Sequence, residues 1–142
     1  AGVAIQAGLT GHLVITTLHA GSCAQVYTRL LEMRIEPHLI TSAITLTLAQ
    51  RLVRKCCADC AGDSGCPRCQ FTGYRGRIPL IEHLVPSTEL RDAVLGRADE
   101  TQLSALQRET LLDHAACLVR EGKTTAAEIE RVLGTVALRS LS

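Results

Sequence analysis

The feature that most constrains this chain is a cysteine-rich segment from Lys55 to Arg77, which reads KCCADCAGDSGCPRCQFTGYRGR. Four of its five cysteines form two Cys-x-x-Cys pairs separated by five residues, namely Cys57 with Cys60 and Cys66 with Cys69. Zinc prefers four thiolates in a tetrahedron, and each pair presents two sulfurs to one ion. The two glycines of the AGDSG connection let so short a loop reverse direction without strain. The segment is therefore predicted to be a zinc-binding loop and not a continuous helix.

Other roles for the cysteines remain open at this point. Cys56 is an alternative ligand to Cys57, which we favour because two-residue spacing then holds in both pairs. A redox dithiol would need one such pair near a strand–helix junction, not two in one loop. The odd total of seven cysteines argues against a disulfide framework and favours a reducing compartment. Since four protein ligands leave no position for water, the zinc is predicted to be structural. Cys23 and Cys117 lie in helical patterns and are predicted to be small buried hydrophobes.

Composition excludes several classes of protein. The 142 residues suit one ordinary domain or two small ones. The formal charge of +1 and the aromatic content of 2% disfavour binding to nucleic acid or to an anionic membrane. No apolar run approaches the roughly 20 residues that span a bilayer. The chain opens at Ala1 in what reads as the middle of an element, so we expect a fragment.

The first third of the chain has an α/β pattern. The apolar run GHLVITTLHA, residues 11–20, predicts a strand buried on both faces. A helix with Ser22 as its N-cap is expected next, and its apolar stripe is Val26, Leu30 and Met33. Pro37 is predicted to open a second helix, whose stripe is Ile40, Ile44, Leu48 and Leu52. This order of elements indicates the end of an α/β layer structure.

The remainder of the chain predicts mostly helices. RIPLIEHLV, residues 77–85, reads as a short extended segment. From about residue 86 to 136 the pattern favours a small helical bundle, with one helix stopped by Gly96. Capping boxes are predicted at Asp99 with Gln102 and at Thr125 with Glu128. The last helix is expected to bury a stripe of four residues: Ile129, Val132, Leu133 and Val136.

Two histidines mark the ends of the predicted strand at residues 11–20. His12 and His19 would lie roughly 23 Å apart and on opposite faces of such a strand. Ligands of open α/β sheets bind beyond the carboxyl ends of the strands, which favours His19 as the functional residue. The alternative is that both histidines are ordinary structural residues.

Several of these motifs occur together in one order, and the chain resembles the C-terminal part of a bacterial type II secretion ATPase. That family, the general secretory pathway E proteins, belongs to a superfamily that includes the pilus-assembly motors. The resemblance rests on GLTGHLVITTLHAGS, on the helix ending in LAQRLVR, and on CPRCQFTGYRGRIPLIEHL. It implies a RecA-like nucleotide-binding portion over residues 1–54, a tetracysteine zinc element over 55–77 and a helical subdomain over 78–142.

The resemblance also implies roles for particular residues. His19 matches the histidine-box residue near the terminal phosphates of the nucleotide, and His12 matches a second histidine of that box. The zinc ligands match Cys57, Cys60, Cys66 and Cys69. Arg75 and Arg77 match basic residues after the zinc loop, and Arg77 is expected to reach nucleotide phosphate through its planar, permanently charged guanidinium. The alternative for both arginines is to cap or salt-bridge the loop.

At the level of the whole protein, the resemblance implies a cytoplasmic homohexamer that uses ATP and Mg and docks on an inner-membrane secretion platform. The 142 residues contain no G-x-x-x-x-G-K-[ST] motif, whose backbone and lysine cradle phosphates. We therefore expect that this chain alone does not hydrolyse ATP. The alternatives are a type IV pilus assembly ATPase fragment, a stand-alone zinc-stabilised interaction module and a thiol redox protein.

Overall fold

The computed structural model describes residues 1–63 and 65–134, which form a mixture of helices and strands. The elements in chain order are α1 Gly2–Leu9, α2 Cys23–Glu32, α3 Pro37–Ala43, β1 Thr47–Cys56, a 3-10 turn Pro67–Cys69, β2 Tyr74–Leu84, α4 Thr88–Leu95, α5 Glu100–Ser104, α6 Leu111–Arg120 and α7 Ala126–Leu133. The predicted mixture of helices and strands is confirmed at this coarse level. None of the described helices has the length and apolarity needed to cross a bilayer.

The chain divides into two compact units. The first unit consists of Ala1–Ala49 together with Glu82–Arg108. The second consists of Gln50–Ile81 together with Glu109–Ser142, of which residues 135–142 lie outside the described part.

The strands β1 and β2 pair in a two-stranded sheet. At one end Thr47 Oγ1 donates to the Leu84 carbonyl over 3.2 Å, and at the other the Cys57 N–H donates to the Gly73 carbonyl over 2.8 Å. The start of each strand therefore lies beside the end of the other, so the pair is antiparallel and the cysteine segment is its connecting loop. The extended segment predicted at residues 77–85 is confirmed as part of β2.

The long second helix predicted from Pro37 is only partly correct. Pro37 does open α3, but that helix ends at Ala43 and β1 begins at Thr47. The side chains of Leu48 and Leu52 are 55% and 47% exposed on β1, so they do not belong to a buried helical stripe. Leucines recurring every four residues satisfy a period of two as well as the helical period.

The predicted buried strand at residues 11–20 is wrong. Residues 12–20 have no regular secondary structure, and the side chains of Leu13 and Ile15 are each 89% exposed. A strand needs a neighbour for its backbone hydrogen bonds, and within the described residues β1 and β2 pair only with each other. The apolar, β-branched composition of this segment suits a strand, but no strand among the described residues pairs with it.

The first unit has its core around α2. Ser22 is the N-cap as predicted, since its hydroxyl accepts from the Gln25 N–H. Leu30 of the predicted stripe is buried, whereas Met33 is 52% exposed. The buried face of α2 consists of Cys23, Ala24, Tyr27 and Leu30. Burial raises the pKa of the Cys23 thiol to about 11, which agrees with the predicted role of a buried hydrophobe.

Elsewhere in the first unit the predicted helix boundaries are confirmed. α4 ends at the C-cap Gly96, and the Asp99–Gln102 capping box opens α5. A further cap was not anticipated. The buried Glu82 carboxylate accepts from the Cys23 N–H over 2.6 Å, and it thereby satisfies one of the free donors at the start of α2.

The core of the second unit joins the two strands to α6 and α7. Its buried residues are Val53, Leu80, Leu111, Ala115, Leu118 and Ile129. Ile129, the first residue of the predicted stripe on α7, is fully buried, with Val132 and Leu133 packed against the cluster. The fourth residue of that stripe, Val136, lies outside the described residues.

The predicted capping box on α7 is half right. Thr125 is the N-cap and accepts from the Glu128 N–H. The Glu128 carboxylate does not return to the Thr125 backbone, because it bonds instead to the backbone and guanidinium of Arg54 and to the guanidinium of Arg131. These two cations, Arg131 foremost, lower the pKa of Glu128 to about 2.

The two tyrosines of the chain allow a matched test of these cores. The Tyr27 hydroxyl is buried without a hydrogen-bond partner in the described structure, whereas the Tyr74 hydroxyl lies 2.6 Å from Thr125 Oγ1. Because an unpaired buried hydroxyl contributes nothing favourable, Tyr27→Phe should leave the free energy of unfolding unchanged or raise it by about 1 kcal/mol. Tyr74→Phe should lower it by about 1 kcal/mol. Chemical denaturation followed by circular dichroism measures both, and equal losses in the two variants would contradict the assignment.

Candidate metal centre

The loop between β1 and β2 brings four thiols together at one point. The Sγ atoms of Cys57, Cys60, Cys66 and Cys69 all lie within 4.8 Å of one another. Two of the four distances between the pairs are 3.9 Å, from Cys57 to Cys66, and 3.8 Å, from Cys60 to Cys69. A tetrahedral zinc–thiolate centre with bonds of about 2.3 Å has sulfur–sulfur edges of about 3.8 Å. The four residues therefore fit a tetrahedral metal ion, and they are the four that the sequence predicted.

Apart from its thiols, the loop has little to bury. Among the described residues between 57 and 73, the buried ones are Cys57, Cys69 and Gly73. All seven cysteines are free thiols, so no disulfide closes the loop. A segment that buries so few apolar side chains gains little from the hydrophobic effect, and ligation of an ion would supply further stabilisation.

The second Cys-x-x-Cys pair, Cys66 and Cys69, lies in a tight turn. Pro67 starts a 3-10 turn that ends at Cys69, and the Cys66 N–H donates to Cys69 Sγ over 3.2 Å. This backbone donor is the main reason that the pKa of Cys69 is lowered to about 6. Metal ions bind thiolates and not thiols, so the turn prepares one ligand in its binding form.

Gly65 is required where the loop closes on itself. Its φ is +80°, and a Cβ atom on it would lie only 2.5 Å from the carbonyl carbon of Phe71. Neither the left-handed backbone nor the contact tolerates another side chain at this position. The loop can therefore close tightly enough to bring the two Cys-x-x-Cys pairs together.

The pKa values of Cys60 and Cys69 are shifted in opposite directions. The Gly62 N–H lowers the pKa of Cys60, but burial and the neighbouring thiols of Cys69, Cys57 and Cys66 outweigh it and raise that pKa to about 11. A divalent cation bound by the four sulfurs would favour the thiolate form of every ligand.

A salt bridge lies beside the first Cys-x-x-Cys pair, Cys57 and Cys60. The Arg68 guanidinium lies 2.9 Å from Asp59 Oδ1, and it lowers the pKa of that carboxyl. Asp59 Oδ2 in turn lies 3.7 Å from Cys57 Sγ. The positive field of Arg75 contributes to the lowered pKa of Asp59 as well. Arg68 and Arg75 thus place positive charge beside Asp59, in a loop that would carry excess negative charge once its thiols ionise.

The remaining cysteines lie outside the cluster. Cys56 is buried, and its N–H donates to the Lys123 carbonyl over 2.8 Å. The structure therefore resolves the ambiguity between Cys56 and Cys57 in favour of Cys57 as a member of the thiol cluster. Cys117 is only half-buried, contrary to prediction, and its Sγ lies 3.5 Å from Glu121 Oε1.

The histidines and arginines singled out from the sequence lie at exposed positions. His12 and His19 belong to the irregular segment before α2, and His12 Nδ1 lies 3.0 Å from Thr10 Oγ1. Arg75 and Arg77 are exposed on β2. Because the predicted strand is absent, the argument that placed the two histidines on opposite faces no longer applies.

Two contacts of the second unit were missed from the sequence. The Arg54 guanidinium stacks on the Tyr74 ring at 4.2 Å, while it also binds Glu128. His114 Nδ1 accepts from the Ile81 N–H over 3.0 Å. The sequence offered one signal for the contact of Arg54 with Glu128. Glu128 precedes Ile129 on a helix face that must be buried, and a buried carboxylate needs a cationic partner.

A family model described as "Type II/IV secretion system protein" matches residues 1–131 of this chain. The chain belongs to the type II/IV secretion system protein family. Family membership therefore agrees with the resemblance recognised from the histidine box and the cysteine loop.

Relatives of this secretion family member include proteins of secretion and of pilus assembly. The type II secretion system protein HxcR of Pseudomonas aeruginosa is 38% identical over 92% of this chain and 30% of its own length. The type II secretion system ATPase E of Vibrio cholerae is 36% identical over 92% of this chain and 31% of its own length. The type IV pilus assembly ATPase PilB of Thermus thermophilus is 35% identical over 89% of this chain and 18% of its own length. The chain thus spans less than a third of these relatives.

The cluster predicts a specific pattern of metal content. Elemental analysis of the purified chain should find one metal ion per chain, because four thiolates complete a tetrahedral shell. Cys60→Ser and Cys69→Ser should each lose the ion or bind it far more weakly. Cys56→Ala is the matched control, and it should retain the metal because Cys56 stands outside the cluster. Loss of metal in the control together with retention in Cys60→Ser would refute the assignment of ligands.

Proposed function

We propose that the metal ion is zinc and that its role is structural. Zinc suits four soft thiolates at tetrahedral spacing, and a complete protein shell leaves no position for a reacting water. The cross-pair sulfur distances of 3.9 and 3.8 Å support this choice. In this role zinc holds a loop that has few buried side chains of its own.

We propose further that the chain is part of a motor ATPase that powers type II protein secretion. The observation that carries this proposal is the family match over residues 1–131, together with relatives whose names specify type II secretion. By resemblance, residues 1–54 would be the last portion of a RecA-like nucleotide-binding domain. Residues 55–77 would be its zinc element, and residues 78–142 a helical subdomain. In such a motor, ATP hydrolysis drives movements between the subunits of a homohexamer.

Four side chains are proposed to act at the nucleotide. His19 and His12 would lie near the terminal phosphates, and Arg77 with Arg75 would contact phosphate oxygens through planar guanidinium groups. Their exposure on this chain supports the proposal, because each is accessible to a ligand. Phosphoryl transfer also needs Mg and a phosphate-binding loop. These 142 residues contain no recognisable motif for such a loop.

The exposed apolar segment before α2 supports the same proposal. Leu13 and Ile15 are almost fully exposed in a run with strong strand propensity. In a longer protein of this family, we expect the segment to add a strand to the sheet of the nucleotide-binding domain. The proposed location is cytoplasmic, with attachment to the inner membrane through partner proteins of the secretion platform.

A pilus-assembly motor is the second candidate function. The observation that favours it is the 35% identity to the type IV pilus assembly ATPase PilB. Both kinds of motor would use the same nucleotide chemistry, and they would differ in the platform that they engage. Complementation separates them, since a secretion motor restores protein export in a strain without its own ATPase, whereas a pilus motor restores pili.

Nucleotide turnover tests the proposed site. In a full-length protein that carries this chain, His19→Ala should lower kcat for ATP about 100-fold, the cost of losing a group that stabilises charge in the transition state. His38→Ala, an exposed histidine on α3, is the matched control and should leave kcat unchanged. The 142-residue chain alone should show no ATP hydrolysis above background. Equal turnover in both histidine variants would remove His19 from the site.

A further inference from the structure

The strand that enters the cysteine loop is held along one edge by the segment that leads into α7. The Cys56 N–H donates to the Lys123 carbonyl over 2.8 Å. Two residues earlier, the Arg54 N–H donates to Glu128 Oε1 over 2.9 Å, and the Arg54 carbonyl accepts from Thr124 Oγ1 over 2.9 Å. Alternate residues of a strand present their backbone groups to the same edge. The α7 segment therefore takes the place of a neighbouring strand beside the residues that precede Cys57.

Glu128 makes this attachment electrostatic as well as backbone-mediated. Its side chain is fully buried, and Oε2 lies 2.8 Å from Arg54 Nε and 2.6 Å from Arg54 Nη2. Arg131 binds the same carboxylate, with Nη2 2.7 Å from Oε1. Arg131 belongs to α7 itself, whereas Arg54 belongs to β1. Because a buried carboxylate that loses a cationic partner is left unfavourable, the bonds between Glu128 and Arg54 favour the arrangement in which α7 lies against β1.

The exit of the loop is tied to the same segment. Tyr74 follows Gly73, whose carbonyl accepts from the Cys57 N–H. The Tyr74 hydroxyl lies 2.6 Å from Thr125 Oγ1, and its ring lies against the Arg54 guanidinium at 4.2 Å. Both ends of the metal loop are therefore positioned by residues 123–128.

We propose that Glu128 is a positioning residue for the metal centre, which couples docking of α7 to zinc affinity. It acts through Arg54 and the edge of β1, since these set the direction in which the chain enters Cys57. This inference rests on the proposed zinc site. Coupling is reciprocal, so zinc that is favoured by a docked α7 must in turn favour docking.

Zinc affinity measured by chelator competition tests the coupling. Glu128→Gln should raise the zinc Kd about tenfold, which lies within the usual range for energetic coupling between two sites. Glu130→Gln is the charge-matched control on the same helix, because Glu130 makes no side-chain bond to the strands within the described structure. It should leave the Kd unchanged. A folded Glu128→Gln variant with the wild-type Kd would overturn the proposal.

A second control separates positioning from general stability. Ile129→Val removes one methyl group from the core of the same helix and keeps every bond to the strand edge. It should lower the free energy of unfolding but leave the zinc Kd unchanged. The specific role of Glu128 would be refuted if Ile129→Val and Glu128→Gln both weakened zinc binding in proportion to the stability that each variant loses.

Thr124→Val serves if Glu128→Gln fails to fold. It replaces only the hydroxyl that donates to the Arg54 carbonyl with a methyl group, and it should raise the Kd about threefold, part of the worth of one hydrogen bond. A wild-type Kd in this variant would also overturn the proposal. If the unmodified chain fails to bind zinc, the proposed zinc site is refuted. This outcome is distinct from a wild-type Kd in the variants, which would refute only the positioning role of Glu128.

Hydrogen exchange provides the reciprocal readout on the unmodified chain. Removing zinc should speed amide exchange at least fivefold in residues 123–131 as well as in the loop, because the coupling acts in both directions. The exchange rate of α2, in the other unit, is the internal reference. Acceleration confined to the cysteine loop would contradict the coupling.

Discussion

The convergence of four sulfurs in the connection between β1 and β2 is the constraint on which the second unit depends. Among its described residues the loop buries two cysteines and a glycine, and none of them belongs to an apolar cluster. Among these thiols the pKa of Cys69 is lowered to about 6 and that of Cys60 is raised to about 11. A divalent ion bound by all four sulfurs would favour the thiolate form of each and would join the two Cys-x-x-Cys pairs.

The carboxylate of Glu128 is the second organising group of that unit. Burying an ion pair contributes little net stability when compared with apolar packing, but it strongly penalises any arrangement that separates the partners. Because Arg54 lies on β1 and Glu128 lies on α7, this ion pair specifies one register between strand and helix. Specificity of placement, more than stability, is what this buried charge contributes near a centre whose ligands must meet within tenths of an ångström.

Patterns that depend on local chemistry were predicted well. The caps at Ser22, Asp99 and Thr125 are local hydrogen bonds, so their spacing alone identifies them. The strand at residues 11–20 and the helix through Leu52 were wrong because periodicity does not specify a partner. An apolar run becomes a strand only where another strand accepts its hydrogen bonds. The contacts of Glu128 with Arg54 link residues 74 positions apart, and no local pattern reports such a pair.

The sequence by itself determined the family, the thiol quartet and most helix ends, since each depends on residue types at short, fixed spacings. Only the tertiary structure separated Cys57 from Cys56, because the choice rests on which sulfur faces the other pair. It alone also turned the Glu128 carboxylate away from its own helix and toward β1. Local structure follows from the spacing of residue types along the chain, whereas the partner of a buried charge depends on which distant groups the folded chain brings within a few ångströms.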